Sequence, residues 1–289
     1  MRDYPKLSIE EFGRELLVSG DLDPVYIALH LMQREGDIDK EQLYRWILAY
    51  ILCYHCGCAS YLSEFAGNEF FQRVMIAATN LEQTPLGGRW PRSSERRHWR
   101  GKFAEEVVAK LHFQYGDRPE QFVENIAFDS VGDPYHAKFS EVAKRVSNHH
   151  GFSHWASFKL ADLIDRVGIQ NIDFSFHDVV IYKDPVLAAE MVYRQKNGLP
   201  DNVKVKPEGI KAVFDYLIDH FSDYTAPPLF DRKIGVQESE SQLCKYKSHL
   251  HGHYPLYNDI REIHHGLTPW AEINSTAKKF QLRMPVLPI

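Results

Sequence analysis

A stretch of basic and aromatic residues offers the clearest chemistry in the sequence. Residues 87–102 read GGRWPRSSERRHWRGK, where two tryptophans, Trp90 and Trp99, and a single acid, Glu95, accompany six basic residues. The basic residues are Arg89, Arg92, Arg96, Arg97, Arg100 and Lys102. Arginine forks pair with phosphate oxygens, and indole planes stack on bases. The pattern predicts an anion-binding stretch that contacts nucleic acid. The alternative is a solvated basic loop that leads into a helix.

A second stretch alternates cationic residues with aromatic and apolar ones. Residues 243–257 place Lys245, Lys247, His249, His251 and His253 among Tyr246, Leu250 and Tyr254. Lysine and histidine donors favour a pocket for an anion such as pyrophosphate. The histidines are dense, but no carboxylate or cysteine pair accompanies them at metal spacing, so a metal site is the less favoured alternative. We predict no cofactor, and a divalent metal requirement stays open.

A glycine turn followed by an amphipathic helix forms the third stretch. Residues 148–151, Asn-His-His-Gly, interrupt the helical periodicity before them, and Gly151 permits a positive φ. Ser153 is the expected N-cap, apolar residues then recur at helical spacing to Val167, and Gly168 occupies the C-cap position. Such a turn leaves backbone N–H groups at a helix N-terminus, where a phosphate binds well.

Asp173 follows this helix, between Ile172 and Phe174. Its apolar neighbours predict partial burial, which raises the pKa of a carboxyl group unless a nearby cation lowers it again. A carboxylate with a raised pKa is a better proton acceptor near neutral pH and could act as a general base. The structural alternative is an aspartate that caps a helix.

The composition bounds the class of protein. The 289 residues are 44% hydrophobic and 25% charged, which is ordinary for a globular chain with a sizeable core. A net charge of −5 means that any nucleic-acid-binding face must be local. Three of the four cysteines crowd into Cys53, Cys56 and Cys58, which favours buried core thiols and a reducing compartment. No signal peptide and no long apolar run is apparent, so we expect a cytoplasmic protein.

Helical signals dominate the chain, and we predict an all-α fold. A capping box begins at Ser8, and Asp23-Pro24 and Asp39 mark two further helix starts. Helices are predicted over 24–33, 40–55, 69–78, 95–113, 119–127, 133–146, 184–196, 207–221, 238–249 and 257–265. The only strand candidates are 179–182 and 203–205. Without a clean linker, residues 1–289 are predicted to form one helical domain, with a possible two-lobed arrangement and a helix-hairpin-helix at about 139–168.

The hairpin stretch resembles helix-hairpin-helix DNA glycosylases. The spacing from Gly151 to Asp173 matches that family's spacing from its first hairpin glycine to its essential aspartate. Ser153 stands where the family has its second hairpin glycine, and Trp155 stands where bifunctional members have the Schiff-base lysine. The resemblance therefore implies a conserved way of docking on DNA without base excision through an enzyme amine.

The three stretches together are more similar to the amino acid:DNA transferases, also called α-glutamyl/putrescinyl thymine pyrophosphorylases, of phage thymine hypermodification. The likeness covers roughly residues 20–265 and depends on the order of several motifs. These are Asp23-Pro24, the Trp46-to-Gly57 helix, the PxxxERR element from Pro91 to Arg97, WASFK at 155–159 with Ala161-Asp162, Ile172-Asp173-Phe174 with Asp184-Pro185, CKxKSH at 244–249, and GHYP at 252–255.

This resemblance implies a glycosylase-like helical fold and a substrate that is double-stranded DNA carrying 5-pyrophosphoryloxymethyluracil. A small amine or amino acid displaces pyrophosphate at the exocyclic methylene, in the host cytoplasm if the protein is phage-encoded, without a membrane. The predicted catalytic residues are Asp173, Lys245, Lys247 and His249. The predicted substrate-binding and DNA-binding residues are Arg89, Trp90, Arg96, Arg97, Arg100, His150, Gly151, Trp155, Lys159, His253 and Tyr254. No residue is assigned to a metal.

Two other functions stay open from the sequence. One is a DNA glycosylase that excises a modified base, with Asp173 activating water or stabilising an oxocarbenium ion. The other is a DNA-binding module without catalysis, although tryptophan, histidine and aspartate around one hairpin are more than binding requires.

Overall fold

The computed structural model describes residues 4–128, 136–180 and 182–287, and helices make up most of them. In chain order the helices are α1 Ile9–Ser19, α2 Pro24–Arg34, α3 Lys40–Cys53, α4 Cys56–Ser63, α5 Gly67–Thr79, α6 Gly101–Tyr115, α7 Gln121–Ala127, α8 Phe139–Ser147, α9 His154–Val167, α10 Phe176–Val179, α11 Lys183–Lys196, α12 Pro207–His220, α13 Val236–Leu250, α14 Asn258–Ile273 and α15 Ser275–Arg283. Strands β1 His136–Lys138 and β2 Asn171–Asp173 form one small pair. The predicted all-α fold class is confirmed.

The chain separates into two compact units. The first comprises Met1–Pro24, Asp173–Arg261 and Pro285–Ile289, and the second comprises Val25–Ile172 and Glu262–Met284. The prediction of one domain with a helix-hairpin-helix at about 139–168 stays a prediction. No helix within the described residues is long and apolar enough to cross a membrane.

In the first unit, α13 packs against α1, α10, α11 and α12. An unusually polar segment of α13, residues 237–242, is buried. Glu238 is one of these residues; its carboxylate accepts two hydrogen bonds of 3.0 Å from the guanidinium of Arg232 and one of 2.8 Å from the N–H of Gly235. A buried carboxylate needs such partners, because an unpaired charge would be costly.

In the second unit, α3 lies at the centre, and its side chains from Leu43 to Cys53 are buried. It packs against α4, α7 and α9, and α15 packs against α4. A series of ring contacts follows α3: Trp46 stacks on Phe280 and on Tyr50, and Tyr50 contacts Tyr54. The next ring, Trp155, meets Tyr54 edge to face and connects α3 with the start of α9.

Local signals located most helix starts. The capping box at Ser8, the Asp39 N-cap, Pro24 at the first position of α2 and the left-handed Gly168 after α9 are all confirmed. Ser153 lies at the N-cap of α9, but its side chain makes no capping hydrogen bond within the described residues.

Several predicted boundaries are wrong. The helix predicted from residue 95 begins at Gly101, because Ser94–Arg96 form a 3₁₀ turn and Arg100 is extended. Helix α3 ends at Cys53 rather than 55, because Tyr54 adopts a left-handed conformation and α4 follows. Helix α14 continues to Ile273 rather than stopping at 265, and α15 was not predicted.

The strand predictions are also wrong. Val179 ends α10, residue 181 lies outside the described residues, and residues 203–205 are irregular, while the strands of the described residues are β1 and β2. The helix predicted over 133–146 is observed only as α8, preceded by β1; its predicted start, Asp133-Pro134, lies outside the described residues.

Candidate functional site

The basic stretch lies in a loop between α5 and α6, here called the arginine loop (residues 80–100), in the second unit. Its fold depends on the two tryptophans. The Trp90 N–H donates to Asn80 Oδ1 at 3.0 Å, and its indole Nε1 donates to the Glu82 carbonyl at 3.1 Å. The Trp90 and Trp99 side chains are only 5% and 1% exposed. Both rings are thus buried and anchor the loop, and neither presents an open face on which a base could stack. The assignment of Trp90 to substrate or DNA binding stays a prediction.

Four arginines of the loop surround one open pocket of about 300 Å³. They are Arg89, Arg92, Arg97 and Arg100, and the remaining lining residues are Asn80, Trp90, Ser93 and Ser94. Three of these arginines, and Trp90 as a lining residue, are among the sequence candidates. Arg92 was not selected, because it falls at an unspecified position of the PxxxERR element, whereas Arg96 and Arg97 are specified by it.

No carboxylate in the described part of the chain forms an ion pair with any of the five arginines of the loop. Arginines elsewhere do have such partners: Arg194 Nη2 lies 2.7 Å from Glu190, and Arg232 Nη1 lies 3.0 Å from Glu238. The loop therefore concentrates positive charge on a protein whose net charge is −5. Positive charge without an internal counter-ion, around a concave site, is suited to an anionic ligand.

Arg92 is the most constrained arginine of the pocket. Its Nη1 donates to the Trp99 carbonyl, its Nη2 donates to the Ala77 carbonyl at 3.3 Å, and its guanidinium lies over the Trp99 ring at 5.8 Å. Burial lowers the pKa of Arg92 from its ordinary value, and its partners are neutral carbonyl groups. The guanidinium is thus fixed in place while its charge remains available to a ligand.

Arg96 has a different environment from its neighbours. Its side chain is buried, its Nε donates to the Leu52 carbonyl at 3.3 Å, and its guanidinium lies 5.5 Å from the centre of the Trp155 ring. Burial lowers the pKa of Arg96 to about 10, and Nη2 has no hydrogen-bond partner among the described residues. Arg96 therefore stays charged near neutral pH but belongs to the aromatic series of α3, not to the pocket lining.

The turn between α8 and α9 has the predicted backbone. Gly151 has φ +82°, and a Cβ added there would meet Val107 Cγ2 at 2.4 Å. The turn therefore packs tightly on α6. The exposed His150 lies near Glu106, with Nε2 3.8 Å from Oε2, while Lys159 is half-buried on α9. The DNA-binding candidates His150, Gly151, Trp155 and Lys159 all lie in the turn or in the first part of α9.

Asp173 ends β2 and is exposed. The expectation of partial burial is therefore wrong, because the alternation of β2 buries Ile172 and turns Asp173 outward. The acid that supports this strand is the buried Asp165, whose Oδ1 accepts from the Ile172 N–H at 2.9 Å. The catalytic assignment of Asp173 stays a prediction.

Lys245 is a connecting residue in the first unit. Its Nζ donates to the carbonyls of Asp21 at 2.6 Å and Leu22 at 2.5 Å, and to Asp259 Oδ2 at 2.7 Å. Burial acts to lower its pKa, but the surrounding carboxylates raise it above the ordinary value. Burial also raises the pKa of Asp21 to about 6, despite hydrogen bonds from the Tyr254 hydroxyl at 3.2 Å and the Ile260 N–H.

His249 is similarly committed to internal contacts. It is 1% exposed, its Nε2 accepts from the Leu7 N–H at 3.1 Å, and its Nδ1 lies 2.9 Å from the Tyr254 carbonyl. Nδ1 must therefore carry the proton, and burial lowers the pKa of the ring. The accessible candidates of this stretch are the exposed His253 and Lys247, which pairs with Asp184 at 2.5 Å.

The cysteine cluster is a packing feature. Cys53, Cys56 and Cys58 are all buried, and the sulfurs of Cys53 and Cys58 lie 3.4 Å apart. Burial raises the pKa of the Cys56 and Cys58 thiols, which keeps them protonated. Beside them, His55 caps α4, with Nδ1 accepting from the Cys58 N–H at 3.1 Å, and burial lowers the His55 pKa to about 4.

These features define an all-α protein with a pocket lined by four arginines. Comparison with known proteins shows to which family the chain belongs. Residues 18–254 match the amino acid:DNA transferase family, and the chain belongs to that family. The predicted family and the predicted enzyme class, a transferase acting on DNA, are confirmed.

Two relatives are informative. A glycinyltransferase of Pseudomonas phage PaMx11 is 45% identical over 296 aligned positions, covering 98% of this chain and 98% of the relative. A putrescinyltransferase of Delftia phage PhiW-14 is 23% identical over 267 positions, covering 92% of this chain and 79% of the relative.

Proposed function

We propose that this protein transfers glycine to 5-pyrophosphoryloxymethyluracil in double-stranded DNA and releases pyrophosphate, as a step of thymine hypermodification. Family membership supports transfer to DNA. The choice of glycine is supported by the glycinyltransferase relative, which is far more similar to this chain than the putrescinyltransferase is. We expect the reaction to take place in the cytoplasm of a phage-infected host.

In this reaction the lone pair of the amine nitrogen forms a bond to the exocyclic methylene carbon. The bond from that carbon to the pyrophosphate oxygen breaks, and its electron pair leaves with pyrophosphate. The amine arrives as an ammonium, so one proton must be removed before attack, and a second leaves the secondary ammonium product. The enzyme therefore needs donors for a polyanion, a proton acceptor, and a means of holding the base outside the duplex stack.

The observation that carries this proposal is the cluster of loop arginines that form no ion pair with a carboxylate of the described residues, because it supplies the first of these requirements. Arg89, Arg97 and Arg100 line its pocket, and Arg96 contributes a buried charge beside Trp155. We assign Trp155 and Arg96 to the space that holds the base after it is flipped out of the duplex.

The hairpin residues and the exposed acid complete the assignment. Gly151, His150 and Lys159 are proposed to contact the DNA backbone, since these residues surround a glycine turn at the start of α9. Asp173, an exposed carboxylate, is proposed as the proton acceptor. DNA affinity should then fall steeply as salt concentration rises.

We propose two different roles for the residues of the stretch 243–257. Lys247 and His253 are accessible and are proposed to contact the anionic substrate. Lys245, His249 and Tyr254 were predicted as functional from sequence, and their internal hydrogen bonds support an indirect contribution through the position of this segment.

Mass spectrometry of nucleosides provides the test. The full-length protein is incubated with pyrophosphorylated DNA and an equimolar mixture of glycine, putrescine and other amines. Glycinylmethyl-deoxyuridine is expected, and it should be absent when the DNA carries unmodified thymine. A product that contains only another amine would refute the glycine assignment. Abasic sites would identify a glycosylase, and DNA binding without any product would identify a binding module.

A further inference from the structure

We infer that the pocket lined by Arg89, Arg92, Arg97 and Arg100 holds the pyrophosphoryl leaving group itself, not a phosphate of the DNA backbone, with Arg92 as its fixed member. This inference rests on the proposed function, because that function supplies a diphosphate. It adds Arg92 to the site and separates Arg96 from it.

The first argument is the concentration of charge. Four arginines line one pocket of about 300 Å³, and within the described residues none of them forms an ion pair with a carboxylate. A backbone phosphate carries a single charge, whereas two linked phosphoryl groups carry more charge and more acceptor oxygens in a small volume. Arginine forks bind such oxygens bidentately. The pocket therefore suits a diphosphate better than one phosphodiester.

The second argument is rigidity. The pocket lies in a loop that contains the buried rings of Trp90 and Trp99, and the Arg92 guanidinium is held by hydrogen bonds to the carbonyls of Ala77 and Trp99. Donors fixed before the reaction stabilise charge as it develops, without reorganisation in the transition state. Backbone contacts do not need this fixation, since they neutralise charge that is already present on the DNA.

The third argument is an unused polar group at the same site. Ser93 lines the pocket, and its Oγ is buried without a hydrogen-bond partner among the described residues. Buried hydroxyl groups are almost always hydrogen-bonded, so an unpaired one calls for a ligand or water. A phosphoryl oxygen would accept its hydrogen.

Isothermal titration of the full-length protein with inorganic pyrophosphate tests the inference directly. Arg97→Ala and Arg100→Ala remove exposed members of the pocket, and Arg92→Lys keeps the charge but loses the planar fork. Each alanine variant should weaken the pyrophosphate Kd by about 10-fold to 100-fold, the usual effect of losing a charged hydrogen bond. Arg73→Ala is the matched control, because Arg73 pairs with Glu69 on α5 and should leave the Kd unchanged.

Unmodified duplex DNA and orthophosphate provide the two discriminating arms. The same variants should change affinity for unmodified DNA less than about threefold, and orthophosphate should bind more weakly than pyrophosphate by at least about 10-fold. The inference is overturned if the variants weaken DNA binding and leave the pyrophosphate Kd unchanged, or if orthophosphate and pyrophosphate bind equally. Melting temperatures establish that each variant is folded. Because this titration needs neither glycine nor turnover, its failure is distinct from a failure to detect the glycinylated nucleoside.

Discussion

Replacing Gly151 by alanine should lower the free energy of unfolding of the second unit by much more than an ordinary surface substitution does. Gly151 has φ +82°, a conformation that costs an L-residue about 1–2 kcal/mol. The new Cβ would also lie 2.4 Å from Val107 Cγ2 and 3.2 Å from Phe103 Cζ. Forcing an extra carbon into a packed site costs typically about 1–3 kcal/mol. The expected loss of unfolding free energy is therefore roughly 2–5 kcal/mol.

Gly87→Ala is the matched control for this substitution. Gly87 has nearly the same φ, +80°, but nothing lies within 4 Å of its added Cβ. Only the conformational cost of about 1–2 kcal/mol should appear there. Denaturant unfolding of both variants, followed by circular dichroism, then isolates the contribution of crowding at the turn.

A double substitution tests the named contact. Val107 is fully buried, so Val107→Ala alone should be destabilising, but it removes the atom that the new Cβ would strike. Gly151→Ala combined with Val107→Ala should lose less than the sum of the single losses, by at least about 1 kcal/mol. Equal losses in Gly151→Ala and Gly87→Ala, or strict additivity in the double variant, would refute the argument. The result also decides how DNA binding by any Gly151 variant can be interpreted, because binding must be measured on folded protein.

Three further outcomes are expected. Burial lowers the pKa of His55 to about 4, so the unfolded state takes up a proton first as pH falls below about 6.5, and roughly 3 kcal/mol of stability is lost by pH 4. The variant His55→Asn retains a capping acceptor and should flatten this part of the pH profile of melting temperature. Parallel profiles for the variant and the wild type would contradict this prediction. Asp173→Asn should reduce single-turnover rates by about 10²–10⁴ with an unchanged melting temperature, whereas normal turnover would exclude a general-base role. Lys245→Met leaves Asp21 and Asp259 without their buried cation and should cost about 3–5 kcal/mol of stability. A variant that melts like the wild type but lacks turnover would instead support a direct catalytic role for Lys245.

Helix starts were predictable because their signals are local. A capping side chain reaches only to the next turn, so Ser8 and Asp39 reveal their helices from sequence. The failures involve residues whose conformation depends on distant contacts. Tyr54 ends α3 in a left-handed conformation while its ring packs between Tyr50 and Trp155, and no local pattern marks that break.

The chemical composition of the site was predictable, but its geometry was not. A run of arginines with one acid indicates an anion site from sequence, and four arginines of the loop do line one pocket; anion binding there stays a prediction. Tryptophans within the run could either stack on bases or anchor the loop, and only tertiary burial distinguishes these roles. The outward orientation of Asp173 was likewise set by the two-residue alternation of a strand that the sequence did not indicate.

Arg92 and Arg96 illustrate why residue type alone could not assign the roles. They are four positions apart in the same basic run, but Arg96 belongs to the 3₁₀ turn Ser94–Arg96, whereas Arg92 precedes it, and their side chains have different surroundings. Arg92 lines the pocket and donates to neutral carbonyl groups, whereas Arg96 is buried against an aromatic ring. Burial lowers the pKa of both arginines, that of Arg96 to about 10. A buried guanidinium interacts more strongly with a partner because less water screens it. If the base that is flipped out of the duplex lies beside Trp155, Arg96 can therefore donate a hydrogen bond to a uracil carbonyl while the pocket arginines hold the departing diphosphate.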